Sequence, residues 1–308
     1  MRADEACVAF VLTFDPQVGQ CGVPNMAFLR WLLVFLCCAV GADSKRHVLL
    51  TRLSTPTAAS INRTCNLPKE ALHTDFAFPV HTIEFQSKNK APIGGWCGGT
   101  VPHMELTEEW VKQEYGESVG SLFVDKAYHL AHFQEIFWHH INWPALQYDF
   151  LWVIEQDVAW QGNLFDAFAT FASWPDDFLC FQPSLKEVGG NWGQNWRGIN
   201  TTTFHSGWID RTPKARIHHC FVFVARYSAA FLNQLSLHHE SGKWAYVEHE
   251  AAELCAQTTG CTVGDISRQK QCSDVIGNPF TATGKGVQGH FNFTHDVRQT
   301  KIYHKVKE

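Results

Sequence analysis

Tyr148-Asp149-Phe150-Leu151-Trp152-Val153-Ile154-Glu155-Gln156-Asp157-Val158-Ala159-Trp160-Gln161-Gly162-Asn163 is the run on which the fold turns. Phe150–Ile154 has the length and the β-branched and aromatic content of a strand buried on both faces, as in a parallel sheet covered by helices. Two acids follow at once. If the chain stays extended past Ile154, Glu155 and Asp157 point to one side and Gln156 to the other. Ligands of open α/β sheets bind outside the carboxyl ends of the strands, where these acids fall. Neighbouring carboxylates repel, and a hard divalent ion, Mn²⁺ or Mg²⁺, would relieve that repulsion and neutralise a departing diphosphate. The plainer alternative is an acidic turn after a buried strand.

Working outward, Gly162 and Asn163 turn the chain, and Asn163 caps a helix with Leu164, Phe165, Phe168 and Phe171 inward. Asp176 and Asp177 read as solvated loop acids before a strand at Phe178–Phe181. Gly189–Trp208 has no periodicity and interleaves Trp192, Trp196 and Trp208 with polar residues, the chemistry of a lid or sugar-binding loop; ordinary anchoring of a surface loop is the alternative. His219–Ala225 is a strand, Arg226, Tyr227 and Ser228 lead into a helix carrying Leu232 and Leu235, and a further helix runs on from Gly242 through Leu254.

Upstream, Lys45–Leu53 holds a first strand. Ser54–Pro102 is rich in Thr, Ser, Asn, Pro and Gly and holds strands whose order the sequence does not assign; its Gly94–Gly99 cluster reads as loop and lacks the lysine of a phosphate-binding loop. Leu106–Tyr115 suggests a short helix capped by Thr107. A longer helix opens at Asp125, places Leu130, Phe133, Phe137 and Ile141 on one face, and stops at Pro144.

The 308 residues, nearly half of them apolar, suffice for a full core. A net charge of −5 provides no basic field, which argues against a nucleic-acid partner. Residues 1–42 read as a leader: Arg30, the apolar run Trp31–Ala42, then the small residues Val40, Gly41 and Ala42 before Asp43, the layout of a secretory signal, with Met26 as the candidate start. Counted from Met26 the run also suits an uncleaved membrane anchor. Residues 43–308 form the remaining domain. Of eleven cysteines, four lie in the leader region. Cys255, Cys261 and Cys272 cluster and supply one disulfide, Cys65 and Cys97 a second, and an odd count leaves a thiol over. Sequons at Asn62, Asn200 and Asn292 agree with lumenal exposure.

The apolar strand ending in Glu155-Gln156-Asp157 resembles the Asp-x-Asp or Glu-x-Asp signature of the GT-A-fold glycosyltransferases, and the order of elements over most of residues 120–308 is similar to theirs. The resemblance implies an α/β, Rossmann-related, GT-A-like fold: one mixed, mostly parallel sheet flanked by helices. It also implies Mn²⁺ or Mg²⁺ and a nucleotide-sugar donor, with a glycan, glycoprotein or glycolipid acceptor, in the lumen of the ER or Golgi. Asp157 would then bind the metal directly, with Glu155 beside it through water or the donor ribose. His304, late in the chain, resembles the histidine that completes such sites. Lys126, at the head of the helix before the strand, resembles the cation placed near the donor diphosphate, a solvated lysine being the alternative. Glu248 matches the acid that faces the acceptor hydroxyl; Glu250 is the other candidate, and an ordinary first-turn acid is the alternative for both. A secreted, non-catalytic carbohydrate-binding protein on the same fold stands beside the enzyme. A glycoside hydrolase ranks last, because acids on one strand end poorly suit a pair that must flank a bond about 5 Å or more apart.

Overall fold

β-Branched and aromatic runs alternate with helical segments along the chain, and each run finds its place in a seven-stranded sheet. The computed structural model describes residues 45–53, 57–86, 96–117, 132–187, 216–268 and 301–304. The strands are β1 (His47–Leu53), β2 (Val80–Gln86), β3 (His103–Thr107), β4 (Phe150–Glu155), β6 (Phe178–Glu187), β7 (Arg216–Ser228) and β8 (Val263–Asp265), in the order β3-β2-β1-β4-β7-β6-β8. The first four are mutually parallel. β7 runs against both β4 and β6, and β8 is parallel to β6. This is the mixed, mostly parallel α/β sheet expected of a GT-A-like fold. A separate ladder pairs β5 (Val158–Gln161) with β9 (Lys301–His304).

The helices are α1 (Ala58–Ala71), α2 (Glu108–Tyr115), α3 (His132–Leu146), α4 (Leu164–Ala169), α5 (Ala229–Glu240) and α6 (Val247–Gln257). Strand alternation sorts the core into two layers. Val48 and Leu50 of β1 and Leu151 and Val153 of β4 face α3, α5 and α6, with Phe133, Phe137, Leu232, Leu235 and Ala251 packed on them. Leu49, Trp152 and Ile154 face the other way, onto α1 and α4 through Leu67, Leu164, Phe165 and Phe168, and the Trp152 and Phe168 rings stack at 4.1 Å. Burying these faces removes roughly 25 cal/mol of unfavourable hydration per Å² of apolar surface, which is why the strand with five apolar residues in a row sits at the centre.

Several expectations hold in detail. Asn163 caps α4 by accepting from the Phe165 N–H, and Thr107 caps α2 by accepting from Trp110. Ser228 ends β7 and caps α5. Others need correction. The stretch after β1, in which only strands of unassigned order were expected, opens with the helix α1, started by a reciprocal capping box between Thr57 and Ser60, before the strand β2. Pro144 does not stop α3, which continues to Leu146; so close to the helix end, its missing N–H forfeits only one bond. Ile141 is 52% exposed rather than inward. Asp177 is engaged rather than solvated, accepting from the Ser228 hydroxyl and the Thr262 N–H.

Cys65 pairs with Cys97 and Cys255 with Cys261, and a third pair joins Cys180 of β6 to Cys220 of β7, which spacing did not suggest. Asn62 is exposed on α1. The leader with Met26, the helix start at Asp125 and Lys126, Leu130, the Trp192–Trp208 loop, Cys272, Asn200 and Asn292 lie outside the described residues. Among the described residues no helix is long and apolar enough to cross a membrane.

Candidate active site

Register brings a cation to the acids. Arg52, the penultimate residue of β1, lies opposite Glu155, the last of β4, and on parallel strands such partners share a face. That face carries α3, whose first turn presents Glu135. The Arg52 side chain, 5% exposed, donates through Nη1 to Glu135 Oε1 at 2.7 Å and through Nη2 to Glu155 Oε1. Burial alone would lower the Arg52 pKa, but the two carboxylates outweigh it and raise the pKa above the usual arginine value. Glu135 is fully buried, whereas Glu155 keeps 27% exposure at the sheet edge.

The two acids are not displayed by simple alternation. β4 ends at Glu155, residues 156–157 form a turn, and β5 begins at Val158, so Asp157 sits half-buried in the turn and the extended-chain premise fails. The turn is gripped from α1, where Arg63 Nη2 donates to the Gln156 carbonyl at 3.0 Å. Val158, next to Asp157, lies opposite His304 in the β5–β9 ladder, so the backbone brings the late histidine into register beside the acidic turn. Among the described residues no three His, Cys, Asp or Glu side chains converge as a ready metal cage.

A second set of groups stands past the end of β4. β4 pairs with β7 only from Val224 to Ser228, so the earlier part of β7 runs with β6 beyond the carboxyl edge on which Glu155 sits. His219 lies in that part, and its Nε2 is 3.3 Å from Oε2 of Glu248 in the first turn of α6. A carboxylate only accepts, so the imidazole donates. Burial, helped by Lys186, pushes His219 down to about 3, so it is neutral near pH 7. The Glu248 side chain keeps 18% exposure, so a substrate can reach it.

Glu250 is not an alternative to it. Its carboxylate is 1% exposed and accepts from His132 Nδ1 at 2.9 Å, from His239 Nε2 at 2.8 Å and from the Ala245 N–H at 2.9 Å. Burial raises its pKa, but the two histidines prevail and bring it to about 2. The Tyr227 hydroxyl stands 3.1 Å from His132 Nε2, so this is a closed structural network between α3, α5, α6 and β7.

These groups set a pH dependence. His219 and His249 are held neutral at about 3 by burial, with Lys186 adding to it for the first and His219 for the second, against 6.5 when unfolded. Between those values the unfolded chain binds more protons, so stability is full above about pH 6.5 and falls as pH drops toward 3. Glu250, depressed from 4.5, adds its own loss below that value. Urea unfolding at pH 4.5 is expected to show a loss of about 2–3 kcal/mol for each of the two histidines relative to pH 7.5. A midpoint that does not move between these pH values contradicts neutral burial.

No protein-family model and no curated protein matches this sequence. Among solved structures the chain is similar to core-mannan synthase A from Aspergillus fumigatus, determined in its Mn/GDP form. The match has 14% identity, covers 78% of this chain and 77% of that one, and has a TM-score of 0.34. Strand order, not this likeness, carries the fold.

Of the residues singled out in the sequence, Glu155 and Asp157 are adjacent on one edge, with the His304 backbone in register beside them, and Glu248, at the head of α6, meets His219 on the part of β7 that extends past the same edge. Lys126 is outside the described residues. Arg52, Arg63, Glu135 and His219 were missed. Arg52 carried a signal: a guanidinium next to the end of an apolar strand is buried only with a partner. Glu135 carried one too, as an acid between Phe133 and Phe137 in the first half of α3, where every residue from His132 to His139 is buried.

Proposed function

We propose that the chain is a metal-dependent glycosyltransferase that moves a sugar from a nucleotide-diphosphate donor to a hydroxyl of a glycan, glycoprotein or glycolipid in the lumen of the secretory pathway. The reading rests on one observation: the central strand of a GT-A-like sheet ends at Glu155 and passes at its carboxyl edge into the turn Gln156-Asp157, with Arg52 bonded to the Glu155 carboxylate and Arg63 to the Gln156 carbonyl. Carboxylate oxygens with a histidine nitrogen make a donor set that suits Mn²⁺ or Mg²⁺. Asp157 and His304 would hold the ion, with Glu155 alongside; when bound, it supplies positive charge that stabilises the leaving diphosphate.

The chain's own residues then divide the remaining work. Lys126 is assigned to the donor diphosphate. Glu248, at the head of α6, takes the proton of the acceptor hydroxyl in an inverting transfer, and a retaining transfer does without it. Neutral His219, by donating to one oxygen of Glu248, orients the carboxylate for that transfer.

Thermal-shift measurements across nucleotide sugars, each with and without Mn²⁺, test the reading. One donor at about 100 times its Kd should stabilise the protein by about 2.7 kcal/mol, and only when Mn²⁺ is present. If no nucleotide sugar shifts the transition in a Mn²⁺-dependent way while glycans bind in the presence of EDTA, the protein is a carbohydrate-binding module and not a transferase.

A further inference from the structure

The sequon Asn62-Arg63-Thr64 lies within α1, and the helix divides it between two environments. Residues two apart on a helix point about 200° apart. Asn62 is accordingly exposed, whereas Thr64 shares the buried face with Ser60 and Leu67 and is 2% exposed. The Thr64 hydroxyl donates to the Ser60 carbonyl at 3.0 Å, one turn back. A glycan on Asn62 would therefore project into solvent without displacing a core residue. The hydroxyl that makes the triplet an acceptor is, in the folded chain, sealed.

The segment that carries the acceptor is a poor helix by itself. Ser60, Ile61, Asn62, Thr64, Cys65 and Asn66 are weak helix formers, and Pro68 withdraws the N–H that would bond the Thr64 carbonyl. At 14 residues even a good sequence is marginal alone. What holds α1 is remote. Cys65 is bonded to Cys97, Arg63 Nη2 donates to the Gln156 carbonyl 93 residues on, and Glu70 accepts from Trp160 Nε1 90 residues on. Until those partners have docked, the triplet is open chain, with the Asn62 amide and the Thr64 hydroxyl both accessible.

We infer that Asn62 is an N-glycosylation site available only to the unfolded chain, and that folding of α1 closes it by burying the Thr64 hydroxyl. In the transfer the Asn62 amide nitrogen bonds to the anomeric carbon of an oligosaccharide carried on a lipid diphosphate. The bond from that carbon to the diphosphate oxygen breaks, and the lipid diphosphate departs with the proton that the amide gives up. The inference rests on the lumenal reading above and adds to it the site, the order of events and the residue that imposes the order. Closing the Cys65–Cys97 bond, which starts one residue past the triplet, ends the interval in which transfer can occur.

The test is glycan transfer to the full chain, read as a mass step that peptide N-glycosidase removes. The sequence has three sequons, and Asn200→Gln with Asn292→Gln leaves Asn62 alone. Translated into microsomes, that double variant should gain one step, and adding Asn62→Gln should abolish it. The same double variant made without membranes, then folded and oxidised, is offered to solubilised oligosaccharyltransferase with its lipid-linked donor. It should react at least about 100-fold more slowly than when reduced and unfolded, because α1 must open first.

Equal rates for the folded and the unfolded chain overturn the closure of the site. Transfer to the wild-type chain at Asn200 or Asn292 but not at Asn62 overturns the assignment and leaves the lumenal reading standing. A wild-type chain that gains no glycan at any of the three overturns the lumenal reading itself, and the inference falls with it.

Discussion

Asp157→Ala is expected to abolish the proposed sugar transfer while the protein stays folded. The expected fall in kcat/KM is on the order of 10³-fold or more, about 4 kcal/mol of transition-state stabilisation. The fold survives because Asp157 sits in a half-buried turn between β4 and β5 and belongs to neither core layer. Steady-state kinetics together with a urea titration separate the two effects. An Asp157→Ala protein with undiminished turnover would end the metal assignment. One that unfolds would mean that the turn supports the sheet. Glu155 gives the contrast, because its carboxylate closes the pair with Arg52 and its loss disturbs a buried guanidinium as well as the edge.

Arg226→Met is expected to be the most damaging single change away from the site. The Arg226 side chain is fully buried at the end of β7, and its guanidinium lies 4.0 Å from the centre of the Phe150 ring. Nη1 donates to the Phe171 carbonyl at 2.6 Å, and Nη2 donates to those of Trp174 and Asp176 at 2.8 and 2.9 Å. The side chain thus closes the turn that follows α4 and ties it to the central strands. Burial lowers its pKa to about 10, with Asp176 and Asp177 acting in the other direction, so it is charged at any physiological pH. Methionine fills the volume but removes a donor from three carbonyls, of which that of Phe171 keeps the Trp174 N–H at 3.1 Å. The cost should be about 3–5 kcal/mol, read as a drop in the urea midpoint with unchanged slope. A loss below about 1 kcal/mol would mean that water replaces the guanidinium and that the turn does not depend on it.

Legibility in the sequence followed the range of the interactions. β1 and β4 were readable because an uninterrupted apolar run needs no distant information, and the caps at Asn163 and Thr107 because each cap and its donor lie within three residues. α1 was not. Its buried face is Ser60, Thr64 and Leu67, so it shows almost no apolar periodicity, and what holds it is the bond from Cys65 to Cys97 and the contacts of Arg63 and Glu70 with β4–α4 residues about 90 positions away.

The candidate site divides along the same line. Glu155 and Asp157 stood out because they end the strand. Their geometry did not, because the turn at 156–157 is fixed by two arginines more than 90 residues earlier in the chain. Glu248 and Glu250 are two positions apart on one helix and alike in type. Only tertiary packing separates them, one partly exposed beside His219 and the other enclosed by His132 and His239. Asp177 looked solvated for a related reason, since its partners Ser228 and Thr262 are remote in sequence.

The reversed strand β7 bears on how the chain is made. β4 is flanked by β1, which is synthesised long before it, and by β7, which is complete only at Ser228. Some 70 residues therefore leave the ribosome between the end of β4 and the arrival of its second neighbour. At about 5–20 residues per second that is several seconds during which the most apolar strand of the protein has one hydrogen-bonding edge without its native partner. Such an edge is a template for pairing with another chain, so the interval between β4 and β7 is the stretch of biosynthesis in which this protein is most exposed to misassembly.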